Sequence, residues 1–574
     1  MKNLKKYLEF YIFPVILLVF PLIKCNQGID LTDTCYGLVN FTFFPHAAQD
    51  WTVATYLANV AGWLLMKLPG ASTLLGMRFY TGLSVSFMAL LAYFFLKGKM
   101  PSVLAFLGEL IAISLCWIPT TSLYNYLTFV LFLGGSVCLY RGLIWNRRRM
   151  MAAAGVLLGC SVLTRLPNIL ECGLIVTVFW YGCLREKNWK EIWTDVAWCV
   201  AGFLGAFLAG YLVISLQFGF DAYGQMLAGL SGYQETDASY SPFSMITTIL
   251  ESYASSFVWA FCLVIAAVFG RLMYFFFPGR LMAVKACGCA GIYLVLLRFV
   301  WGRGMFNFNY NFYWSFYNWA MVLIYAALVL NLWTLTDPRV FRRDKLLALF
   351  VLLIIVITPV GSNNGTYPVM NNLFLAAPVT LFQGYRLYLQ LGSKKENLPW
   401  RMFLVMILAV TLIQSLGYGV TGVFRDSLYG EKRTARVENC PPLAGMYTNA
   451  ENAAALQGVV DYCNENDVSG QAAAGRKLLT MGDLPGLYWI LQMPSALSHD
   501  WPDMNTYPLA QMETQLAQIA SEHTEYPLVI VRNEDPETLE EQEARKWQLL
   551  EDWVGQNQYQ EVFNNGTYRI YDIK

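Results

Sequence analysis

Residues 74–96 read LLGMRFYTGLSVSFMALLAYFFL, an apolar run interrupted by a single charged residue. A helix rises 1.5 Å per residue, so about 20 apolar residues cross the roughly 30 Å hydrocarbon core of a membrane. Similar runs recur along the first 420 residues and are separated by short polar loops. This pattern predicts a polytopic helical membrane protein.

The composition of the whole chain agrees with that prediction. Of its 574 residues, 56% are hydrophobic and 14% are charged, and the mean hydropathy is +0.42. Soluble proteins have about 45–50% apolar and about 25% charged residues, so an ordinary soluble enzyme and a disordered chain are excluded. The net charge of +1 hides a division, because residues 425–574 carry 11 Lys and Arg against 23 Asp and Glu, whereas residues 1–424 carry 29 against 16.

Thirteen membrane spans are predicted within residues 1–424. They are 10–23, 74–96, 101–118, 123–140, 151–164, 169–184, 196–215, 257–276, 281–300, 317–335, 346–360, 373–389 and 402–420. Residues 52–68 are interpreted as an interfacial amphipathic helix, since a span there would move every later basic loop to the other side. With this count, 23 of the 29 basic residues fall in loops on the N-terminal side, which predicts a cytoplasmic N-terminus and an outer C-terminal part.

The C-terminal part has the composition of a soluble domain. Helices are predicted at 449–464, 509–520 and 539–554, and strands at 476–481 and 527–531. Residues 561–571 contain Asn565-Gly566 between two extended runs, which is the signal of a β-hairpin. We therefore predict a transmembrane catalytic domain over residues 1–424 and a small extracytoplasmic α/β domain over residues 425–574, for which a structural or docking role is favoured.

Two carboxylates stand at the membrane boundary in the first outer loop. Residues 28–40 read GIDLTDTCYGLVN, with Asp30 and Asp33 three residues apart and close after the first span. If a helix starts here, Asp33 or Thr32 would suit its N-terminal cap. Capping explains one acid better than two, so the residues alone leave a catalytic role for either acid open.

The layout resembles that of the GT-C-type membrane glycosyltransferases, which include oligosaccharyltransferases, protein mannosyltransferases and aminoarabinose transferases. In that class an acid follows the first span, often with a second acid and then an aromatic residue. Here Asp33 and Tyr36 match, whereas Thr34 stands where the family often has Glu. The resemblance implies inverting transfer of a sugar from a polyprenyl-phosphate donor to a cell-envelope glycan, lipid or protein at the outer face. It further implies that Asp33 is the base and Asp30 a supporting acid or alternative base.

A departing polyprenyl phosphate needs cationic donors, and the planar fork of arginine bonds two phosphate oxygens at once. Arg165 is the first candidate, because the Pro-Asn pair at 167–168 breaks the helix beside it and broken backbone at membrane depth belongs inside protein or beside a cavity. An ion pair with Glu171 is its structural alternative. Arg298 and Arg303 are further candidates near the outer end of span nine, where interfacial snorkelling is the favoured alternative.

The remaining polar features are less specific. Asn363 and Asn364 belong to the stretch GSNNGTYP at 361–368, which suits sugar hydroxyls and a tight turn equally well. Asp237 is a possible metal ligand only by analogy with metal-using GT-C enzymes; no metal site or cofactor is predicted, and a divalent cation stays possible. No nucleic-acid partner is predicted. A transporter or flippase of envelope precursors and a non-catalytic assembly protein remain alternatives, although no repeat typical of transporters is found.

Overall fold

The computed structural model describes residues 2–46, 49–116, 121–236, 241–276, 282–301, 303–305, 314–426, 431–468, 475–522, 526–534 and 539–573. The chain is mainly helical as far as Thr421, and a small sheet follows near the C-terminus. Its α-helices up to that point are Lys2–Tyr7, Phe13–Val19, Asp33–Phe43, Gln49–Ala54, Tyr56–Leu65, Leu74–Leu96, Ser102–Leu115, Tyr124–Trp145, Arg148–Thr164, Ile175–Leu184, Trp189–Phe218, Ala222–Thr236, Pro242–Phe276, Met282–Trp301, Trp314–Thr336, Arg342–Ile357, Tyr367–Asn371, Ala376–Gln390 and Leu398–Thr421.

Eight helices in the described part of the chain are long and apolar enough to cross a membrane. They are Leu74–Leu96, Tyr124–Trp145, Leu166–Leu184, Trp189–Phe218, Pro242–Phe276, Met282–Trp301, Phe316–Thr336 and Lys395–Thr421. The other five predicted spans coincide with shorter helical segments, such as Ser102–Leu115, whose 14 residues rise about 21 Å. The chain is thus a multi-pass membrane protein, but the count of about thirteen spans is not confirmed.

The helical part buries one large apolar cluster and leaves other apolar side chains on its surface. Tyr93, Phe132 and Phe350 are among the fully buried members of the cluster. Leu216, Phe243 and other large apolar side chains on the helices between residues 189 and 301 are exposed. Lipid tails are as apolar as leucine, so exposed apolar faces of this kind are expected of helices that contact the bilayer.

The segment predicted to lie in the interface is helical and short. Tyr56–Leu65 has 10 residues, which rise about 15 Å and cannot cross a bilayer. Its first half is buried, whereas Leu64 and Leu68 near its end are exposed. The length of the helix agrees with the prediction that this segment does not cross the membrane, and its interfacial position stays a prediction.

The C-terminal part forms the predicted α/β layer. Strands β1 (Leu478–Met481), β2 (Leu528–Arg532), β3 (Gln560–Asn564) and β4 (Tyr568–Asp572) form one sheet in the order β1-β2-β4-β3. β1 and β2 are parallel and are separated in sequence by the helix Leu509–Glu522, whereas β3 and β4 form the antiparallel hairpin. Helices Ala450–Glu465, Gly486–Ile490 and Glu541–Gln556 complete this part.

The two faces of the sheet belong to different apolar cores. Because successive side chains of a strand point to opposite faces, Leu478 packs on one side and Leu479 on the other. The side that carries Leu478 shares its core with the first loop and the helix that follows it, including Leu31 and Leu38. The Gly486 amide also donates to the Leu31 carbonyl over 2.7 Å. The sheet therefore holds the first loop in place through a common core.

Candidate active site

The two aspartates of the first loop have different surroundings. Asp30 is 2% exposed, and its carboxylate accepts hydrogen bonds from the Thr32 amide (3.1 Å), the Thr32 hydroxyl (2.5 Å) and the Thr34 amide (2.8 Å). It therefore caps the helix Asp33–Phe43, whose first amides have no partners within the helix. Asp33, the first residue of that helix, makes none of these bonds. Of the two acids, Asp30 is thus the structural one.

We expect Asp30→Ala to destabilise the protein by about 1–2 kcal/mol, the usual loss on removing a capping side chain. Asp33→Ala should change stability less, because the Asp33 carboxylate is about one-third exposed and pairs with a half-exposed arginine. The measurement is the thermal unfolding midpoint of the purified variants in detergent. An equal loss of stability in both variants would contradict the assignment of the cap to Asp30.

Asp33 lies in a cavity of about 410 Å³, here called the Asp33 cavity. Its lining residues are Asp33, Leu123, Tyr124, Asn125, Phe129, Arg165, Thr248, Ser252, Phe316, Ser362, Asn363, Asn364, Gly365, Tyr367, Pro368, Asn371, Phe424 and Arg425. The cavity is large enough for a sugar ring with its phosphate, and its lining mixes aromatic side chains with neutral polar groups and two arginines.

The Asp33 carboxylate is held by an arginine of the chain's last third. One oxygen of Asp33 lies 3.1 Å from the Arg425 guanidinium, which also donates to the Thr32 hydroxyl over 3.1 Å. Burial raises the pKa of Asp33 to about 6, against the lowering effect of Arg425, and the negative charges of Asp30 and Asp483 raise it further. At neutral pH the group is therefore mostly ionised and a stronger base than an ordinary aspartate.

Arg425 is the site residue that sequence reasoning missed. It follows the helix Leu398–Thr421 by only a few residues and has a φ of +40°, a left-handed conformation that residues other than glycine rarely adopt. The change of composition at this residue assigns it to the acidic C-terminal part. The sequence signal that indicates this residue is a cation directly after the last predicted span, at the same predicted membrane boundary as Asp33.

Asp426 fixes this junction. Its side chain is fully buried and accepts hydrogen bonds from the Ile29 amide (2.7 Å), the Thr448 hydroxyl (2.6 Å) and the Arg433 guanidinium (2.9 Å). These bonds connect the first loop, the segment after the helix Leu398–Thr421 and the C-terminal part to one carboxylate. Because Asp426 is adjacent to Arg425, they also hold Arg425 beside Asp33.

Arg165 enters the Asp33 cavity from the break that the sequence predicted. The helix Arg148–Thr164 ends one residue before it, and a 3₁₀ segment, Leu166–Leu174, follows. The guanidinium donates to the Gly361 carbonyl and lies 5.6 Å from the centre of the Tyr124 ring. Arg165 makes no salt bridge with Glu171 in the part of the chain that the structure describes, although the two charges interact electrostatically. The guanidinium also lines the Asp33 cavity.

The asparagine stretch is both a turn and a part of the cavity wall. Gly361 has a φ of +86°, and a Cβ atom on it would lie 2.3 Å from Pro167, so only glycine fits this position. The Asn364 amide and side chain both approach the Ser362 hydroxyl at 3.2 Å. The two interpretations of Asn363 and Asn364 are thus compatible, since the turn presents both residues to the cavity.

Four other predicted site residues lie outside the Asp33 cavity. The Tyr36 ring packs near the rings of His499 (6.3 Å between centres) and Trp501 (5.7 Å) in the C-terminal part. Arg298 is exposed, and so is Arg303, which donates to the Phe299 carbonyl and lies over the Phe299 ring. Asp30 borders an adjoining polar cavity with Asp483 and Arg532, and Arg425 lines both cavities. Asp237 lies outside the described residues.

No group of three or more His, Cys, Asp or Glu side chains that could hold a metal ion occurs among the residues that the structure describes. The Asp33 cavity contains one carboxylate and two guanidinium groups in its described lining. Hard divalent cations need several oxygen ligands, of which carboxylates are the strongest. This donor set is therefore suited to an anion.

No protein-family model and no curated protein matches the chain. Solved structures similar to it are ArnT from Cupriavidus metallidurans in the apo state, with 13% identity, 98% of this chain and 97% of that chain covered, and a TM-score of 0.46. The same protein bound to undecaprenyl phosphate has 12% identity, the same coverage and a TM-score of 0.43. The oligosaccharyltransferase AglB from Archaeoglobus fulgidus, in complex with an inhibitory peptide and a dolichol-phosphate, has 11% identity, 99% and 74% coverage, and a TM-score of 0.47.

ArnT and AglB are GT-C glycosyltransferases, the class whose layout the sequence of this chain resembles. Their identities to this chain are 13% or less and their TM-scores lie below 0.5. What the protein does has to be inferred from its own residues.

Proposed function

We propose that the chain is an integral membrane glycosyltransferase that moves a sugar from a polyprenyl-phosphate donor to a hydroxyl group of a cell-envelope glycan, lipid or protein. The observation that carries this proposal is the Asp33 cavity, which combines one carboxylate of raised pKa with Arg165, Arg425 and the asparagine turn. A base and an anion-binding pair in one cavity are what transfer from a phosphate leaving group requires.

The reaction follows from these groups. The acceptor oxygen attacks the anomeric carbon and gives its proton to the Asp33 carboxylate. The bond from the anomeric carbon to the phosphate oxygen breaks, and the polyprenyl phosphate leaves with the electron pair. Arg165 and Arg425 stabilise the departing phosphate, and Asn363 and Asn364 bind sugar hydroxyls. In-line attack inverts the anomeric centre, and no general acid is needed because phosphate is a good leaving group.

The composition of the cavity supports the predicted topology of about thirteen spans. Under that topology the outer connections follow spans 1, 3, 5, 7, 9, 11 and 13. The Asp33 cavity takes residues from each of these connections or from the adjoining outer helix ends: Asp33; Tyr124 and Asn125; Arg165; Thr248 and Ser252; Phe316; residues 362–371; and Phe424 and Arg425. We accordingly propose that the N-terminus is cytoplasmic and that residues 425–574 form an extracytoplasmic domain.

Analysis of lipids from cells that lack the protein tests the proposed function. We expect one polyprenyl-phosphate sugar to accumulate and one envelope glycan, lipid or protein to lose that sugar. Wild-type protein should restore both, and the Asp33→Asn variant should restore neither. Unchanged lipid-linked sugars, together with uptake of a labelled solute by vesicles of the purified protein, would instead indicate a transporter.

The pH dependence of transfer should report the ionisation of Asp33. Because the base acts as a carboxylate, kcat/KM is expected to fall as the pH drops through about 6, the raised pKa of this group. Arg425→Gln removes a charge that lowers this pKa, so the midpoint should move to higher pH. Asp483→Asn removes a charge that raises it, so the midpoint should move to lower pH. Shifts of the same sign in both variants, measured as kcat/KM profiles, would exclude Asp33 as the titrating base.

A further inference from the structure

A second cation-lined cavity lies behind the first loop, and we term it the Arg78 pocket. Its volume is about 90 Å³, and Lys24, Arg78 and Ser114 are among the residues that line it. A cavity needs roughly 10–15 Å³ of such volume to hold one water molecule, so this one can hold a small oxyanion. Of the residues that line the Asp33 cavity, only Phe424 also lines this pocket.

The pocket presents hydrogen-bond donors that have no acceptor. Arg78 is 3% exposed, and one terminal nitrogen of its guanidinium donates to the Gln27 carbonyl. The Nε and Nη2 groups of Arg78 and the Ser114 hydroxyl are buried without a hydrogen-bond partner in the described part of the chain. Lys24 donates to the carbonyls of Tyr418 and Gly422, which occupies two of its three donors. An unsatisfied buried donor of this kind is destabilising unless an acceptor fills the space.

The carboxylates near the pocket are engaged elsewhere. The charges of Asp30 and Asp426 interact with that of Arg78. However, Asp30 accepts the bonds that cap the first-loop helix, and Asp426 accepts bonds from Ile29, Thr448 and Arg433. Burial, with the positive charges of Arg433 and Arg78, lowers the pKa of Lys24 to about 7. An anion in the pocket would give Arg78 an ionic partner and would favour the protonated form of Lys24.

We infer that the Arg78 pocket binds a phosphate group. The free Nε–Nη2 edge of Arg78 is the edge of the guanidinium that bonds two oxygens of one phosphate, and Ser114 and Lys24 supply further donors to the same oxyanion. The pocket is lined by residues at the ends of the first helical segment, Leu74–Leu96, Ser102–Leu115 and Leu398–Thr421. This position, at the helix ends beside the first loop, suits the head group of a phosphomonoester lipid as well as free phosphate.

Two probes distinguish a lipid head group from free phosphate as the ligand of the purified, delipidated protein. Native mass spectrometry follows binding of dioleoyl phosphatidic acid, and equilibrium dialysis follows binding of radiolabelled inorganic phosphate. We expect saturable binding of one equivalent at this pocket for at least one of them. Binding of phosphatidic acid that inorganic phosphate does not displace assigns the pocket to a lipid head group, and displacement assigns it to the phosphate group itself. No saturable binding of either probe would overturn the inference.

Three variants locate the binding. Arg78→Lys keeps the positive charge and a donor for the Gln27 carbonyl but loses the fork, so affinity should fall roughly tenfold or more. Ser114→Ala removes one donor without disturbing Arg78 and should weaken binding roughly threefold. Arg303→Lys is the control, because Arg303 is exposed and should leave affinity unchanged. A loss seen in Arg165→Gln but not in Arg78→Lys or Ser114→Ala would place the phosphate in the Asp33 cavity alone, which would overturn this inference and leave the proposed function intact.

Discussion

Asparagine in place of Asp33 is expected to lower the kcat of sugar transfer by about 10²- to 10⁴-fold, the usual contribution of a positioned general base. The variant keeps the shape and the hydrogen-bonding capacity of the side chain but cannot take the acceptor's proton. Among the acids that the structure describes, Asp33 alone lines the cavity that also contains Arg165 and Arg425. No second carboxylate in the described lining can replace it, so the loss should appear mainly in kcat.

The matched control for Asp33→Asn is Asp483→Asn. Asp483 is close enough to raise the pKa of Asp33, but it borders the neighbouring polar cavity and accepts a hydrogen bond from the Trp501 indole over 2.8 Å. Its replacement should leave kcat at high pH within about tenfold of the wild type and should move the midpoint of the pH profile to lower pH. Both variants should insert and unfold like the wild type. Full activity of a folded Asp33→Asn variant would remove Asp33 from the mechanism.

Asp426→Ala is expected to have the largest effect on stability, a loss of about 3–5 kcal/mol. The reason is that removal of this fully buried carboxylate leaves the Arg433 guanidinium and the Ile29 amide without their acceptor. The first loop would then separate from the segment that follows the helix Leu398–Thr421, and Arg425 would lose its position beside Asp33. Transfer should therefore fall together with the thermal unfolding midpoint measured in detergent.

Asp552→Ala is the control for this second prediction. Asp552 is exposed on the helix Glu541–Gln556 and accepts a hydrogen bond from the Gln548 side chain. An exposed replacement of this kind should change stability by no more than about 0.5 kcal/mol. If Asp426→Ala unfolded like Asp552→Ala, the buried carboxylate would not be the link between the first loop and the C-terminal part.

Local patterns predicted the C-terminal elements well. The short apolar runs of β1 and β2 and the Asn565-Gly566 turn of the hairpin are properties of a few neighbouring residues, and the structure confirms these elements. The predicted span count is less secure, because a segment such as Ser102–Leu115 has the right composition but only 14 residues. Hydropathy locates such a segment without fixing how far its helix extends.

The site was predictable where its residues carry local sequence signals of their own. Asp33 and Arg165 each carry a local signal, an acid after a span and a cation at a helix break, and the structure brings them to one cavity. The pairing of Arg425 with Asp33 joins residues almost four hundred positions apart, so no local pattern indicates it. The capping role of Asp30 depends on the φ and ψ angles of residues 30–34, which sequence spacing does not determine. Arg298 and Arg303 had suitable chemistry, but their helix end does not line this cavity.

Donor consumption by the purified protein tests the proposed sugar transfer. The donor is the lipid fraction of cells that lack the protein, with the sugar radiolabelled, and the acceptor is their envelope fraction. We expect wild-type protein to release free polyprenyl phosphate in the same amount as labelled sugar appears on the acceptor, and Asp33→Asn to do neither. Intact donor after incubation with folded wild-type protein, or equal transfer by Asp33→Asn, would contradict the proposed function.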